Sequence, residues 1–340
     1  MFAKATILVT GGTGSWGYEL IEQLLRENPK KIIVFSRNES TQVAMKRAFN
    51  DPRLSFCIGD VRDKEALMKA CEQVDYLFHL AALKHVPVCE DQPFEALKTN
   101  VIGTQNVIEA AIENKVKKVI NISTDKAANP SNFYGITKAI GEKLIVYGNL
   151  LSPHTKFVNV RGGNVLGTNG SVIHLFIKQI QEKNQVGITD KNMTRFFMTK
   201  QEAIKLMLRG AEVGRGGEIF VITMPTCKII DLAEVLIQEL GKQDVEVVEL
   251  GVRPGEKIHE ILLSEFESQF TVTFDDEHLV ILPTIDIPGL KETYAHYLKV
   301  PYESFSSEGP LMTKAEIKKM LVKGGFLGDA ELHSSAGLKG

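Results

Sequence analysis

The first apolar run, residues 5–10, is continuous, as in a strand of a parallel sheet covered on both faces. It ends in Thr10-Gly-Gly-Thr-Gly-Ser-Trp-Gly17, after which Leu20, Ile21, Leu24 and Leu25 recur at helical spacing. Further apolar runs at 31–36, 54–58, 76–81, 116–123 and 157–161 predict five more strands, with helical stretches between them. The longest of these stretches, 94–114, has Val101, Val107, Ala110 and Ala111 for packing. Repeated strand–helix alternation predicts an α/β fold, a doubly wound parallel sheet of Rossmann type. Beyond Asn164 the pattern loosens into Gly-rich turns and short elements. A helix over 201–212 and a strand over 218–222 are expected to return to the sheet, and 231–240 reads as an amphipathic helix. The expected division is residues 1–165 (with 201–222) as a nucleotide-binding domain, 166–325 as a smaller substrate-binding domain, and 326–340 as a tail. That Gly- and Ser-containing tail suits a mobile end or a subunit contact.

Composition narrows the class. A formal net charge of −2 gives no general attraction to nucleic acid or to an anionic membrane. Cys57, Cys71, Cys89 and Cys227 lack Cys-x-x-Cys spacing and read as reduced thiols of a cytoplasmic protein. The N-terminus carries no signal-peptide pattern, and no apolar run approaches the roughly 18 residues that span a bilayer. His79, His85 and His259 are scattered without metal-ligand spacing, so no metal site is expected.

The chemistry gathers at the C-terminal ends of the expected strands. The run 116–123 leads into Thr124, Asp125 and Lys126, then a polar loop, then a helix whose first turn carries Tyr134, with Lys138 four residues on. The two share a helical face. A nearby ammonium lowers a phenol's pKa, so the phenolate can take an alcohol proton while hydride leaves the same carbon. Gly11, Gly14 and Gly17, with Thr13, Ser15 and Trp16 between them, have the spacing of a turn that lets backbone amides approach a pyrophosphate at a helix N-terminus. An acid that bonds the ribose 2′-hydroxyl of NAD usually ends the second strand. Here Ser36, Arg37 and Asn38 stand there, and a hydroxyl and a planar cation suit the 2′-phosphate of NADP. Asp60 is placed for adenine, Leu80, Ala81 and Ala82 for the adenosine ribose, and Val61, Lys84 and Thr99 complete the expected cofactor set.

Taken together these residues resemble the extended short-chain dehydrogenase/reductases. Within them, Ser123-Thr-Asp-Lys-Ala-Ala-Asn-Pro130 followed by Tyr134-Gly-Ile-Thr-Lys138 is similar to the soluble UDP-N-acetylglucosamine 4,6-dehydratases, most of all the C5-inverting type of the pseudaminic acid pathway. The resemblance runs over about residues 1–325 and includes 82–87, Thr99-Asn100, 163–165, 193–196, 217–220 and Arg253-Pro-Gly-Glu-Lys257. Asp-Lys at 125–126 differs from the small residues of 4-epimerases and from the Asp-Glu of dTDP-glucose dehydratases. Three departures stand out: Arg161-Gly-Gly-Asn164 in place of Arg-Tyr-Gly-Asn, Thr168-Asn-Gly-Ser-Val-Ile-His174 in place of Ser-Arg-Gly-Ser-Val-x-Pro, and Trp16 where phenylalanine is common.

The resemblance implies a UDP-N-acetylglucosamine substrate with NADP as cofactor; a homo-oligomer is expected, and helices such as 94–114 and 134–147 are candidates for its subunit interface. It implies Tyr134 as the base at the C4 hydroxyl, Lys138 as its partner and Thr124 near O4. Lys126 is then the base at C5, and Asp125 the acid for the departing C6 hydroxyl. Lys84, Asn164, Val165, Arg195, Arg253 and Glu256 are the implied substrate contacts. Other outcomes stay open: a C5-retaining product, a 5,6-ene sugar with hydride returned to C4, a 4-epimerase, and an NADP-binding regulatory protein without turnover.

Overall fold

The computed structural model describes residues 1–168 and 171–328; Asn169, Gly170 and the tail beyond 328 lie outside the described residues. The chain divides into two compact units, one of Met1–Gly162, Gln201–Thr223 and Ile261–Ser306, the other of Gly163–Lys200, Met224–Glu260 and the residues from Ser307 onward.

The first unit is built on a sheet of nine strands among the described residues. The expected strands appear as β1 (Thr6–Thr10), β2 (Lys31–Ser36), β3 (Leu54–Ile58), β4 (Tyr76–His79), β5 (Lys118–Thr124) and β6 (Lys156–Gly162). They run parallel in the order β3-β2-β1-β4-β5-β6, and Ile219–Ile222 adds a further parallel strand. Helices α1 (Ser15–Arg26), α2 (Glu39–Phe49), α3 (Lys64–Ala70), α4 (Val86–Asp91), α5 (Pro93–Leu97), α6 (Gly103–Glu113) and α7 (Phe133–Leu151) lie between the strands. All five residues of β1 are buried, as its unbroken apolar run requires. Leu8, Ile33, Leu77, Val119 and Phe157 from five strands pack with Val107 and Ala111 of α6 into one core. The strand order reverses between β1 and β4, where ligands sit in open α/β sheets.

One expectation is corrected. Residues 261–306 belong to the first unit, not to the substrate-binding unit: Thr271–Thr273 and His278–Ile281 pair antiparallel to extend the sheet past Ile219–Ile222. Strands of three and four residues carry too few alternations to mark a return to the sheet. The expected stretch 94–114 is helical without a break from Pro93 to Glu113, but it is not uniform. Lys98–Ile102 forms a π-helical segment between α5 and α6, burying Thr99 and Asn100, the kind of local widening common at functional sites.

In the second unit, Asn164–Val165, Thr194–Met198 and Thr226–Lys228 form a small sheet. Leu166, Phe176 and Phe197 pack there with Leu232 of the helix Ile229–Glu239 and Ile317 of the helix Lys314–Lys323.

Candidate active site

Thr124 closes β5 and caps the single 3₁₀ turn Asp125–Ala127 that follows it. Its hydroxyl donates to Asp125 Oδ1 at 2.7 Å, and Lys126 Nζ donates to the same oxygen at 3.1 Å. Asp125 is fully buried, and its Oδ2 has no hydrogen-bond partner. A buried carboxylate oxygen left unpaired is costly, so this atom is placed for a ligand group.

Helix α7 begins next to that turn. Asn132 caps it through Gly135 N–H at 2.8 Å, so Tyr134 stands in the first turn. A Cβ on Gly135 would collide with the Lys126 carbonyl oxygen, so glycine is what lets the helix abut the Asp125–Ala127 turn. The Tyr134 hydroxyl hydrogen-bonds Thr124 and feels the Lys126 charge, but burial outweighs both and pushes the phenol up to about 12. Lys138 is buried and donates to the Ile122 carbonyl. Burial lowers its ammonium to about 8 while Glu142 pulls the other way. The cation acting on Tyr134 in this structure is therefore Lys126; Lys138, expected to steady the phenolate, turns to the β5 backbone.

A buried polar chain supports this arrangement. Thr10 Oγ1 lies 2.8 Å from His79 Nδ1, and His79 Nε2 lies 3.2 Å from Thr104 Oγ1, which itself donates to the Asn100 carbonyl at 2.7 Å. With Thr104's one proton used on that carbonyl, His79 Nε2 must be the donor and Nδ1 the acceptor. Asn100 accepts from Leu83 N–H and donates to the Leu83 carbonyl and to Thr137, whose hydroxyl reaches the Tyr134 carbonyl. The π-helical segment thus holds the loop after β4, which carries Lys84, in register with α7. Composition gave no signal of these supporting roles for His79 and Asn100.

The cofactor candidates cluster at the reversal of strand order. Gly11 has φ +67°, and a Cβ there would lie 2.8 Å from Ala81 N, so only glycine brings the turn this close to the loop holding Leu80, Ala81 and Ala82. Thr13, Ser15, Trp16 and Gly17 continue into α1, whose cap residue Gly14 makes no side-chain cap bond. The first amides of a helix attract an anion. Thr99 Oγ1 and Ser123 Oγ are buried without hydrogen-bond partners. That donor set fits a nicotinamide dinucleotide. At its adenosine end, Ser36 is buried and its hydroxyl accepts from Gln42 Nε2 at 3.0 Å, while Arg37 is exposed, 3.9 Å from Asp60. Asn38 Oδ1 caps α2 through Thr41 N–H. Asp60, expected to serve adenine, already accepts from Arg62 through Nε, Nη2 and the backbone N–H. Burial raises its pKa, but Arg62 and Arg37 hold the carboxyl below its ordinary value. Val61 is buried.

In the second unit, Asn164 and Val165 pair with the strand that carries Arg195. The Arg195 guanidinium donates to the carbonyls of Thr194, Lys257 and Ile258 at 2.7–3.0 Å. It therefore buttresses the turn containing Arg253 and Glu256, whereas it was expected as a substrate contact. Arg253 is exposed, and Glu256 Oε2 is buried without a hydrogen-bond partner. Among the described residues no cluster could hold a metal ion, and no helix is long and apolar enough to cross a membrane.

A family model described as polysaccharide biosynthesis protein matches residues 7–281. A Campylobacter jejuni protein named UDP-N-acetylglucosamine 4,6-dehydratase (inverting) is 45% identical over 289 residues, 84% of this chain and 85% of its own. A Rickettsia massiliae protein named UDP-glucose 4-epimerase is 45% identical over 273 residues, 78% and 80% of the two chains. The solved structure of Pen from Bacillus thuringiensis superimposes with a TM-score of 0.88 at 37% identity, covering 95% of this chain and 99% of that one.

Proposed function

The chain belongs to the polysaccharide biosynthesis protein family, and from that premise we propose that it is a C5-inverting UDP-N-acetylglucosamine 4,6-dehydratase. The observation that carries this reading is the ion pair of Asp125 and Lys126 beside Tyr134. An epimerase must only oxidise C4 and reduce it again. A dehydratase needs an acid and a base besides, and this turn holds both.

A nicotinamide dinucleotide held at the glycine-rich turn of Gly11, Gly14 and Gly17 would supply the hydride chemistry between C4 and C6. Tyr134 takes the O4 proton, helped by the Lys126 charge and the Thr124 hydroxyl. The resulting 4-ketone acidifies the C5 proton, since the carbanion is delocalised as an enolate. By passing its proton to Asp125 across their hydrogen bond, Lys126 becomes the free amine that removes the C5 proton, and Asp125 becomes the acid that protonates the departing C6 hydroxyl. Reprotonation of C5 on the opposite face gives inversion. Lys138 holds the nicotinamide ribose. NADP is the cofactor on this reading, with Arg37 as the main 2′-phosphate contact and Thr99 and Ser123 lining the site. Lys84, Asn164, Val165, Arg253 and Glu256 bind the nucleotide sugar, with Arg195 bracing the turn of Arg253.

The enzyme is a cytoplasmic homo-oligomer on this reading. Ile136, Ile140, Tyr147 and Leu151 form an exposed apolar stripe along α7, of the kind that a second subunit covers.

The test is incubation with UDP-N-acetylglucosamine and NADP. A nucleotide sugar lighter by one water supports the dehydratase, whereas an isomer of unchanged mass supports a 4-epimerase. No change in the sugar supports a protein without turnover.

A further inference from the structure

Tyr134, Lys138 and Glu142 follow one another at four-residue intervals along α7. Glu142 is buried, and its carboxylate receives Arg161 Nε at 3.0 Å and Nη2 at 2.7 Å. Arg161, at 1% exposure one of the most enclosed side chains, uses its remaining donors on Glu267 (2.7 and 3.0 Å) and on the Leu262 carbonyl (2.9 Å). All five N–H bonds of the guanidinium are engaged, so its position leaves Glu142 no freedom to turn away. The Glu142 carbonyl is held as well, by Asn159 Nδ2 at 3.0 Å.

Lys138, Glu142, Arg161 and Glu267 sum to zero charge. The other titratable groups around α7 do not balance Lys138. His79 on β4 is buried and far below its ordinary pKa, burial being the main cause and Lys138's charge the second. Asp125 and Lys126 bond each other. Glu90 on α4 accepts from the Phe133 amide. Glu142 is the group that raises Lys138.

We propose that Glu142, oriented by Arg161, is a positioning residue that supplies the counter-charge of Lys138 and keeps its ammonium protonated through neutral pH. A buried ammonium without a partner sheds its proton, and neutral Lys138 is a weaker partner for the nicotinamide ribose. The proposal rests on the assignment of Tyr134 and Lys138 to the oxidation step.

The test follows nicotinamide reduction in a single turnover across pH, with wild type, Glu142→Gln, Glu142→Asp and Glu267→Gln. Losing an opposite charge beside a buried cation moves its pKa by about 1 unit or more. The alkaline limb of Glu142→Gln is therefore expected to move acidward by about that amount. Glu142→Asp, which keeps the charge, holds the limb near wild type. Glu267→Gln removes Arg161's other carboxylate at similar structural cost and moves the limb less than half as far as Glu142→Gln. A limb unmoved in Glu142→Gln, or moved equally in Glu267→Gln, overturns the proposal. The Lys138 pKa, read directly by NMR of ¹³C-labelled lysine in wild type and Glu142→Gln, decides the same point without substrate. If wild-type protein shows the NMR shift but never reduces nicotinamide with UDP-N-acetylglucosamine, the functional reading fails and the charge pairing stands.

Discussion

Lys126 Nζ lies 3.1 Å from Asp125 Oδ1, and the same ammonium is the charge that draws down the Tyr134 phenol. Three groups with three jobs thus meet within one 3₁₀ turn and the first turn of the following helix. On the proposed mechanism, these are the groups that act at O4, C5 and O6, and Lys126 couples the oxidation and elimination halves.

Lys126→Met should accordingly damage both halves, unequally. Loss of a positioned base at C5 slows elimination by about 10²–10⁴-fold. Oxidation is slowed less, because Tyr134 loses only a neighbouring charge. Reduced cofactor should then accumulate, read by stopped-flow absorbance near ~340 nm, the nicotinamide's own chemistry. Tyr134→Phe should leave the cofactor oxidised. Full turnover by Lys126→Met without trapped reduced cofactor would remove Lys126 from the C5 step.

On the proposed NADP reading, cofactor choice depends on Arg37. Ser36 is buried against Gln42, and Asp60 is committed to Arg62, which leaves the exposed Arg37 as the available cation. A hydrogen bond to a charged group contributes about 1.5–3 kcal/mol. Arg37→Ala should weaken NADP by roughly 10- to 100-fold on that basis and NAD far less. Titration of both cofactors by fluorescence checks this, and equal weakening of the two argues against a 2′-phosphate contact.

His79 predicts an acid sensitivity of the fold. Burial, helped by the Lys138 charge, lowers its pKa from 6.5 to about 3. Between those values the unfolded chain binds a proton that the folded chain refuses, so stability is lost as pH falls from 6.5 toward 3. The span corresponds to several kcal/mol, on the order of 1.4 per pKa unit. Urea unfolding at pH 7, 5 and 4 should show His79→Asn less stable at pH 7 but with a shallower acid decline. An unchanged slope would mean that His79 is protonated in the fold.

The sequence made some of these features plain and hid others for physical reasons. An unbroken apolar run such as β1 can only be a buried strand or helix segment, and a glycine-rich turn after it excludes the helix. Tyr134 and Lys138 are one helical turn apart, so their shared face follows from spacing alone. The π-helical segment at Lys98–Ile102 left no trace, because a shift of hydrogen-bond register needs no special composition. Arg161 and Glu142 are nineteen residues apart, and only the pairing of β6 with its neighbours brings them together. Arg195 shows the opposite limit: the resemblance implied a substrate contact, while its carbonyl partners 62 and 63 residues away were invisible before folding.

The central claim is elimination across C5 and C6 followed by inversion at C5, and it is tested most directly by NMR of the product formed from UDP-N-acetylglucosamine in heavy water. The account predicts a 4-keto sugar with a methyl group at C6, one deuterium at C5 and inverted C5 configuration. The hydrogen lost from C4 should be found in the C6 methyl, since hydride moves within the site. A product that keeps its C6 hydroxyl, a 5,6-ene sugar, or C5 in its original configuration would contradict the account.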